Sequence, residues 1–290
     1  MTATLDPPAT AAEAPAPRIR NRYLLGLRSP RGLTGAVLVL LVLFAGLLGP
    51  LLLGIDPLEQ GASALAPAGT AGHLLGTDEV GRDILARVLA GIRVDVLISV
   101  VAVPIAAALG TALGMLSALN ALAGGAVQRV FDVLLGFPGV VLGVAIGIAL
   151  GPGQTAVMVT CVLFAMPVFG RLTRLATLGQ LNRDYVNAAT VLATPRWKIV
   201  VRHILPNVMD TVLVRAAVAV AQAVQIEGGL SVIGLGIQPP EPSLGSMISG
   251  GSPYLATLPS YAIVPVAVVF LLVFGFTLIA DALNKAVLRS

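Results

Sequence analysis

Apolar positions in this chain neither recur with the period of an amphipathic helix nor alternate as in a strand; they run on unbroken. Residues 32–55 are 24 consecutive positions without a charge, residues 96–128 form a second such run, and residues 133–170 form a third of 38. A helix needs about 20 apolar residues to cross a bilayer core. Residues 32–55 therefore predict a first span and 96–119 a second. The 38-residue run is long enough for two more, divided at Gly151-Pro152-Gly153, which suits an external turn. Residues 207–229 predict a fifth span, and 261–280 a sixth after the Pro259-Ser260 break. Pro104, Pro138, Pro167 and Pro265 fall inside spans, where they read as kinks or hinges. The expected fold class is all-α: a polytopic membrane protein with six transmembrane helices.

The fifth span is the most polar. It contains Asp210, Arg215, Gln222, Gln225 and, near its far end, Glu227. Arg215, Gln222 and Gln225 are spaced by seven and three, so one helix face carries a polar stripe. Lipid does not tolerate such a face, which must point into a bundle or a wet pathway. Arg215, Gln222, Gln225 and Glu227 are thus the candidate lining of a translocation path.

Composition agrees with lipid as solvent. The chain is 57% hydrophobic and 11% charged, with mean hydropathy +0.94, whereas soluble domains carry about 25% charged residues. The net charge of +4 does not point to nucleic acid, because the basic residues sit in short runs between spans and aromatics are only 4%. Their distribution is instead a topology signal. Segments 1–32, 120–132, 171–210 and 281–290 hold fourteen Arg and Lys; segments 56–95, 151–153 and 227–260 hold three, Arg82, Arg87 and Arg93. The positive-inside rule then places both termini and the long 171–210 segment in the cytoplasm. Six spans agree in putting both termini on one side.

Residues 2–17, rich in Ala, Pro and Thr, read as a disordered tail, followed by Arg18, Arg20, Arg22, Arg28 and Arg31. The expected division is a cytoplasmic tail and basic segment at 1–32 and a membrane domain at 33–290. The first apolar run is too long for a signal-peptide core and no small-residue cleavage site follows it, so it reads as a retained span. Cys161 is the only cysteine and excludes an intramolecular disulfide; His73 and His203 have no partners at metal-ligand spacing. Ser99, Ser117 and Cys161 have no His within any span, which removes a membrane-embedded hydrolase.

A bundle that moves solute against a gradient needs energy, yet the chain has neither a Walker loop nor a proton-relay chain of ionisable residues. Segment 181–207 suggests the source. Asp184 predicts the N-cap of a short helix with Asn187 as a weakened capping-box partner. Thr194-Pro195 predicts the start of a second helix, which Pro206 interrupts before the fifth span. Ala188 and Ala189 form a small-residue patch open to close approach.

Asn187-Ala188-Ala189, then Ala193, then Leu205-Pro206 resemble the coupling motif of binding-protein-dependent ABC importer permeases. That family reads Glu-Ala-Ala, then Gly, then Leu-Pro, so Asn187 and Ala193 depart from it while the spacing holds. Residues 75–83 (Leu-Gly-Thr-Asp-Glu-Val-Gly-Arg-Asp), 132–138, 184–186 and 230–243 resemble the dipeptide/oligopeptide/nickel branch, specifically its second permease with a short external loop. The resemblance covers about residues 30 to 285. Taken alone, 77–93 reads as an amphipathic interfacial helix capped by Thr77 or Asp78, and 228–240 as a tight connection or a partner contact.

The resemblance implies the type I ABC importer permease fold in a bacterial plasma (inner) membrane. It implies pairing with a second homologous permease around a central path, one or two cytoplasmic ABC ATPases that bind ATP and Mg, and an extracytoplasmic solute-binding protein. This chain would then hold no cofactor or metal and catalyse nothing itself. Asn187, Ala188, Ala189, Ala193, Thr194, Pro195, Leu205 and Pro206 would be the ATPase-coupling residues, and the polar stripe would line the path or pack on the second permease. The implied solute is a dipeptide or oligopeptide, with nickel or a metal chelate as the alternative. A self-sufficient secondary transporter is the distant alternative, since it needs intramembrane ionisable groups and usually an internal repeat, and no repeat is visible.

Overall fold

The computed structural model describes residues 19–61 and 63–288; the expected tail at 2–17, with Arg18, lies outside them. In chain order the helices are α1 (Ile19–Leu27), α2 (Pro30–Leu53), α3 (Ile84–Leu119), α4 (Ala121–Leu135), α5 (Gly139–Leu150), α6 (Gln154–Leu181), α7 (Asp184–Val191), α8 (Arg196–Ile199), α9 (Leu205–Val232), α10 (Leu244–Gly251) and α11 (Ser260–Leu288). A π-helical turn (Val200–Ile204) joins α8 to α9. Among the described residues there is no strand, only isolated bridges at Thr70–His73 and Thr77–Asp83.

Five helical segments are long and apolar enough to cross a membrane: α2, α3, α6, the stretch Trp197–Val232 and α11. The apolar run expected to supply a third span from residue 133 is not one straight helix: α4 and α5 together are apolar enough to cross, but they are bent by 96° at Gly136-Phe137-Pro138. Pro138 forces that bend, because its ring forbids the α4 hydrogen-bond ladder from running on. The turn expected at Gly151-Pro152-Gly153 is present, with Gly151 at φ 86° and Gly153 at φ 133°.

α3 corrects the expected second span, since it begins twelve residues earlier than 96. Asp83 caps it, its side chain accepting from Ala86 N at 2.8 Å. Neither Thr77 nor Asp78 is the cap; 77–83 is a turn-rich loop and the first turns of α3 are one helix with the span. A hydropathy window stops at Arg93 and Asp95, but the helix does not, because Ile84, Val88 and Ile92 are buried on one side.

The core of the bundle is the α3–α6 pair. A Cβ at Gly110 would stand 2.4 Å from the Met166 carbonyl oxygen, and one at Gly114 2.3 Å from that of Gly170. Lipid supplies no hydrophobic drive for helix association, so close packing through small residues is what holds spans together. Phe131 and Phe169 fill the space beside the seam and are fully buried. α2 packs on α11 where Gly35 meets Gly275, and leaves Leu40, Leu41, Leu51 and Leu52 exposed toward lipid.

The bundle has two distinct ends. At one, loop 54–83, α10 and the start of α11 are tied together: Ser260 Oγ donates to the Leu75 carbonyl at 2.7 Å and the Tyr261 hydroxyl to Glu79 Oε2 at 2.5 Å. At the other lie α7, α8 and both ends of the described chain. There Gly26 of α1 packs on Ala286 of α11, and the Tyr23 hydroxyl donates to Asp210 on the first turns of α9.

Candidate functional site

The expected coupling segment is a helical hairpin. α7 closes in a Schellman motif: the Thr194 N–H donates to the Ala189 carbonyl at 3.1 Å and the Ala193 N–H to that of Thr190 at 3.0 Å. Ala193 takes the left-handed conformation this motif requires, φ 53°. The resemblance puts glycine at this position, and the backbone explains why.

Three local expectations need correction. Asp184 is not the N-cap; Arg183 holds that position without a side-chain bond, and Asp184 is the first helical residue, its negative charge set at the helix N-terminus. α8 starts at Arg196, with the Pro195 carbonyl accepting from the N–H groups of Lys198 at 2.9 Å and Ile199 at 3.2 Å. Pro206 does not interrupt the helix. The π turn widens the spiral ahead of it, the Leu205 N–H reaching back to the Val200 carbonyl. A wider turn moves carbonyls out of the way of the proline ring, so helical direction survives into α9.

The expected small-residue patch is split. Ala189 and Val186 are buried against the bundle, whereas Asn187 and Ala188 are exposed. What projects from the hairpin is apolar and was not singled out in the sequence: Val191 is 86% exposed, Leu192 78% and Trp197 69%. Thr194 is half-buried and Pro195 exposed; Leu205 is half-buried and Pro206 exposed. The Tyr185 hydroxyl donates to Gln180 Oε1 at 2.7 Å and its ring lies 6.3 Å from His203, which fixes the hairpin to α6 and the π turn. Behind the hairpin is a cavity of about 320 Å³ lined by Ala118, Leu181, Val186, Thr190, Ile199 and Ile204 among others.

The polar stripe divides too. Arg215 and Gln222 form a pair, Nη2 donating to Oε1 at 2.6 Å, both half-buried, while Gln225 is exposed. Glu227 stands apart: it is 1% exposed and points into the interior, where Ser231 Oγ donates to its Oε1 at 2.6 Å. Through Ser231 and Ser243 it is linked to the start of α10, whose Leu244 N–H donates to Asp95 of α3, a buried carboxyl that lies outside the apolar run read as the second span.

At the same end, residues 77–87 form a charged knot. Asp78 accepts from Arg82 Nε at 2.6 Å and from the N–H groups of Val80 and Arg82, and Arg87 Nε lies 3.3 Å from its Oδ2. Asp83 also holds His73 Nδ1 at 2.8 Å. Loop 233–243 folds back on α9, with the Ile237 N–H donating to Ser231 Oγ at 3.3 Å. α4 and α6 are joined by an ion pair between Asp132 and Arg171. Among the described residues, no group of three or more His, Cys, Asp or Glu is placed to hold a metal ion.

Five long apolar helices and the bent α4–α5 pair, with a helical hairpin protruding at one end and a tied loop region at the other, make a multi-pass membrane protein. The family model described as binding-protein-dependent transport system inner membrane component matches residues 110–289, and the chain belongs to that family. The di/tripeptide transport system permease protein DppC of Pseudomonas aeruginosa (strain UCBPP-PA14) is 33% identical over 261 residues, 88% of this chain and 86% of that protein. The probable D,D-dipeptide transport system permease protein DdpC of Escherichia coli (strain K12) is 34% identical over 259 residues, 88% of this chain and 86% of that protein. The glutathione transport system permease protein GsiD of Pectobacterium atrosepticum is 33% identical over 232 residues, 80% of this chain and 75% of that one. The MetNI methionine ABC transporter in an inward-facing conformation shares the fold, with TM-score 0.56 and 17% identity over 69% of this chain and 95% of that one.

Proposed function

We propose that this chain is the membrane half-path of an ATP-driven importer of short peptides. It would pair with a second homologous permease, take energy from one or two cytoplasmic ABC ATPases that bind ATP and Mg, and receive solute from an extracytoplasmic binding protein. The chain itself hydrolyses nothing, and both termini lie in the cytoplasm with the hairpin. The observation that carries this is the α7–α8 hairpin. A rigid turn closed by two backbone bonds, anchored through Val186 and Ala189 and presenting Val191, Leu192 and Trp197 outward, is a docking knob whose displacement must move α9. A partner that grips the knob differently in two states transmits free energy to the span. Peptide is favoured as the solute by the di/tripeptide and D,D-dipeptide names of the relatives. The Arg215–Gln222 pair would face the path.

Purification from native membranes in mild detergent, followed by mass spectrometry, tests the assembly. A second permease, a Walker-type ATPase and a solute-binding protein should co-purify, and uptake of labelled dipeptide by the reconstituted complex should require ATP. Recovery of the chain alone from several detergents, or uptake that follows the proton gradient at constant ATP, would sink the proposal.

A further inference from the structure

α3, α9 and α10 meet in close backbone contact, beside a cleft of about 200 Å³ lined by Arg87, Ser231, Ser246 and Met247 among others. A Cβ at Gly91 of α3 would lie 3.1 Å from the Leu244 nitrogen, and one at Gly245 of α10 would lie 2.7 Å from Gly228 Cα of α9. Two carboxyl groups are sealed there, Asp95 and Glu227, each 1% exposed. Asp95 Oδ2 accepts from the Leu244 N–H, the first helical amide of α10, at 3.3 Å. Glu227 Oε1 accepts from Ser231 Oγ, which in turn sits 3.3 Å from Ser243 Oγ. That leaves one oxygen on each carboxyl, Asp95 Oδ1 and Glu227 Oε2, buried and without a hydrogen-bond donor.

The two carboxyls are brought together at the start of α10, Asp95 through the Leu244 N–H and Glu227 through Ser231 and the neighbouring Ser243, and among the described residues neither makes a salt bridge. Arg87, two turns nearer the start of α3, is committed to Asp78 and to the carbonyls of Pro57 and Pro240. From α6 the titratable group nearby is Cys161, whose thiol is turned to the Ala223 carbonyl at 3.8 Å. On α11, Tyr261 donates to Glu79. α10 and α5 carry no charged residue. Two neighbouring buried carboxylates with no counter-charge repel each other and lose hydration, and a proton bound by one of them relieves both costs. A proton held between the two otherwise unpartnered oxygens would give each of them its hydrogen bond.

We propose that Asp95 and Glu227 form a proton-binding site, one proton shared between Asp95 Oδ1 and Glu227 Oε2, that ties α3 to α9 and α10 at the end opposite the coupling hairpin. The site takes up one proton and goes from two negative charges to one. The remaining charge is met by the Leu244 N–H and the two serine hydroxyls. Removing the proton puts two anions across the α3–α9 contact and pushes that end of the bundle apart.

The test uses the full chain in lipid nanodiscs, with the proton as the ligand. Infrared spectra at neutral pH should show a carboxylic-acid C=O band that shifts in D₂O and is lost in Asp95→Asn/Glu227→Gln. Raising pH should lower the thermal unfolding midpoint of the wild type and leave that of the double variant flat. No acid band in the wild type at neutral pH, or a band undiminished in the double variant, overturns the proposal without relying on the variant's stability. A midpoint raised by Na⁺ or Ca²⁺ at fixed pH in the wild type alone overturns it too, by making the pair a metal-ion site.

Discussion

The backbone N–H of Thr194 donates to the carbonyl of Ala189 at 3.1 Å, closing α7 with Ala193 held at φ 53° between them. An alanine in this left-handed conformation costs about 1–2 kcal/mol. Glycine relieves that cost but adds about 0.5–1 kcal/mol of chain entropy. Ala193→Gly should therefore stabilise the hairpin modestly, by about 0–1.5 kcal/mol net. Ala193→Val should destabilise it further, because a β-branched side chain crowds the left-handed backbone more than alanine does. Limited proteolysis at 190–197 reads the difference: glycine slows cutting relative to wild type and valine speeds it. Equal rates in all three would mean the φ constraint is not felt.

The exposure difference between Leu192 and Ala189 separates docking from folding. Leu192 is 78% exposed and Ala189 9%, so a charge at the first meets water and a charge at the second meets the bundle. Leu192→Glu should leave membrane yield and unfolding midpoint at wild-type values but abolish solute-stimulated ATP hydrolysis by the reconstituted complex. Ala189→Glu should lose both, since burying an unpaired carboxylate costs several kcal/mol. Normal stimulation in Leu192→Glu would take the hairpin tip out of the ATPase contact.

How far the sequence disclosed this structure depends on where each signal lives. Spans are written in uninterrupted apolar runs, so the five long spans and the Gly151-Pro152-Gly153 turn were legible, whereas the 96° bend between α4 and α5 was not. Charge at a helix end misled, because Arg87 and Asp95 are accommodated by partners distant in sequence and α3 simply continues through them. The coupling spacing was legible, but its exposed face was not: apolar Val191, Leu192 and Trp197 look like buried residues until the hairpin direction is known. The π turn before Pro206 carries no composition signal, only the geometric need of a proline inside a helix. Asp95 and Glu227 are 132 positions apart, and their meeting depends on the packing of α3 against α9.

Arg215 and Gln222, two turns apart on α9, bond at 2.6 Å. Gln222→Leu leaves a half-buried guanidinium N–H without its acceptor, a loss of about 1–3 kcal/mol for that group. If the pair faces the path, uptake by the assembled complex should fall while size-exclusion profiles stay unchanged, and Gln222→Glu, which restores an acceptor, should recover uptake with altered solute selectivity. Unchanged uptake in Gln222→Leu would remove Gln222 from the path.

Gly114 and Gly125 predict opposite outcomes for the same kind of change. A Cβ at Gly114 would fall 2.3 Å from the Gly170 carbonyl oxygen, a backbone atom on the facing helix that cannot rotate away. Gly114→Ala must push α3 off α6 along the tightest seam of the bundle, and in lipid no solvent-driven term restores the contact. Folded protein should be lost from the membrane fraction, or survive with an unfolding midpoint well below wild type. At Gly125, within α4, a Cβ meets nothing within 4 Å. There alanine brings only its higher helix propensity, worth about 0.8–1 kcal/mol, and Gly125→Ala should raise the midpoint. The pair of variants, expressed and melted side by side in the same detergent, separates close approach from propensity. Tolerance of Gly114→Ala would mean that α3 and α6 do not meet at this seam.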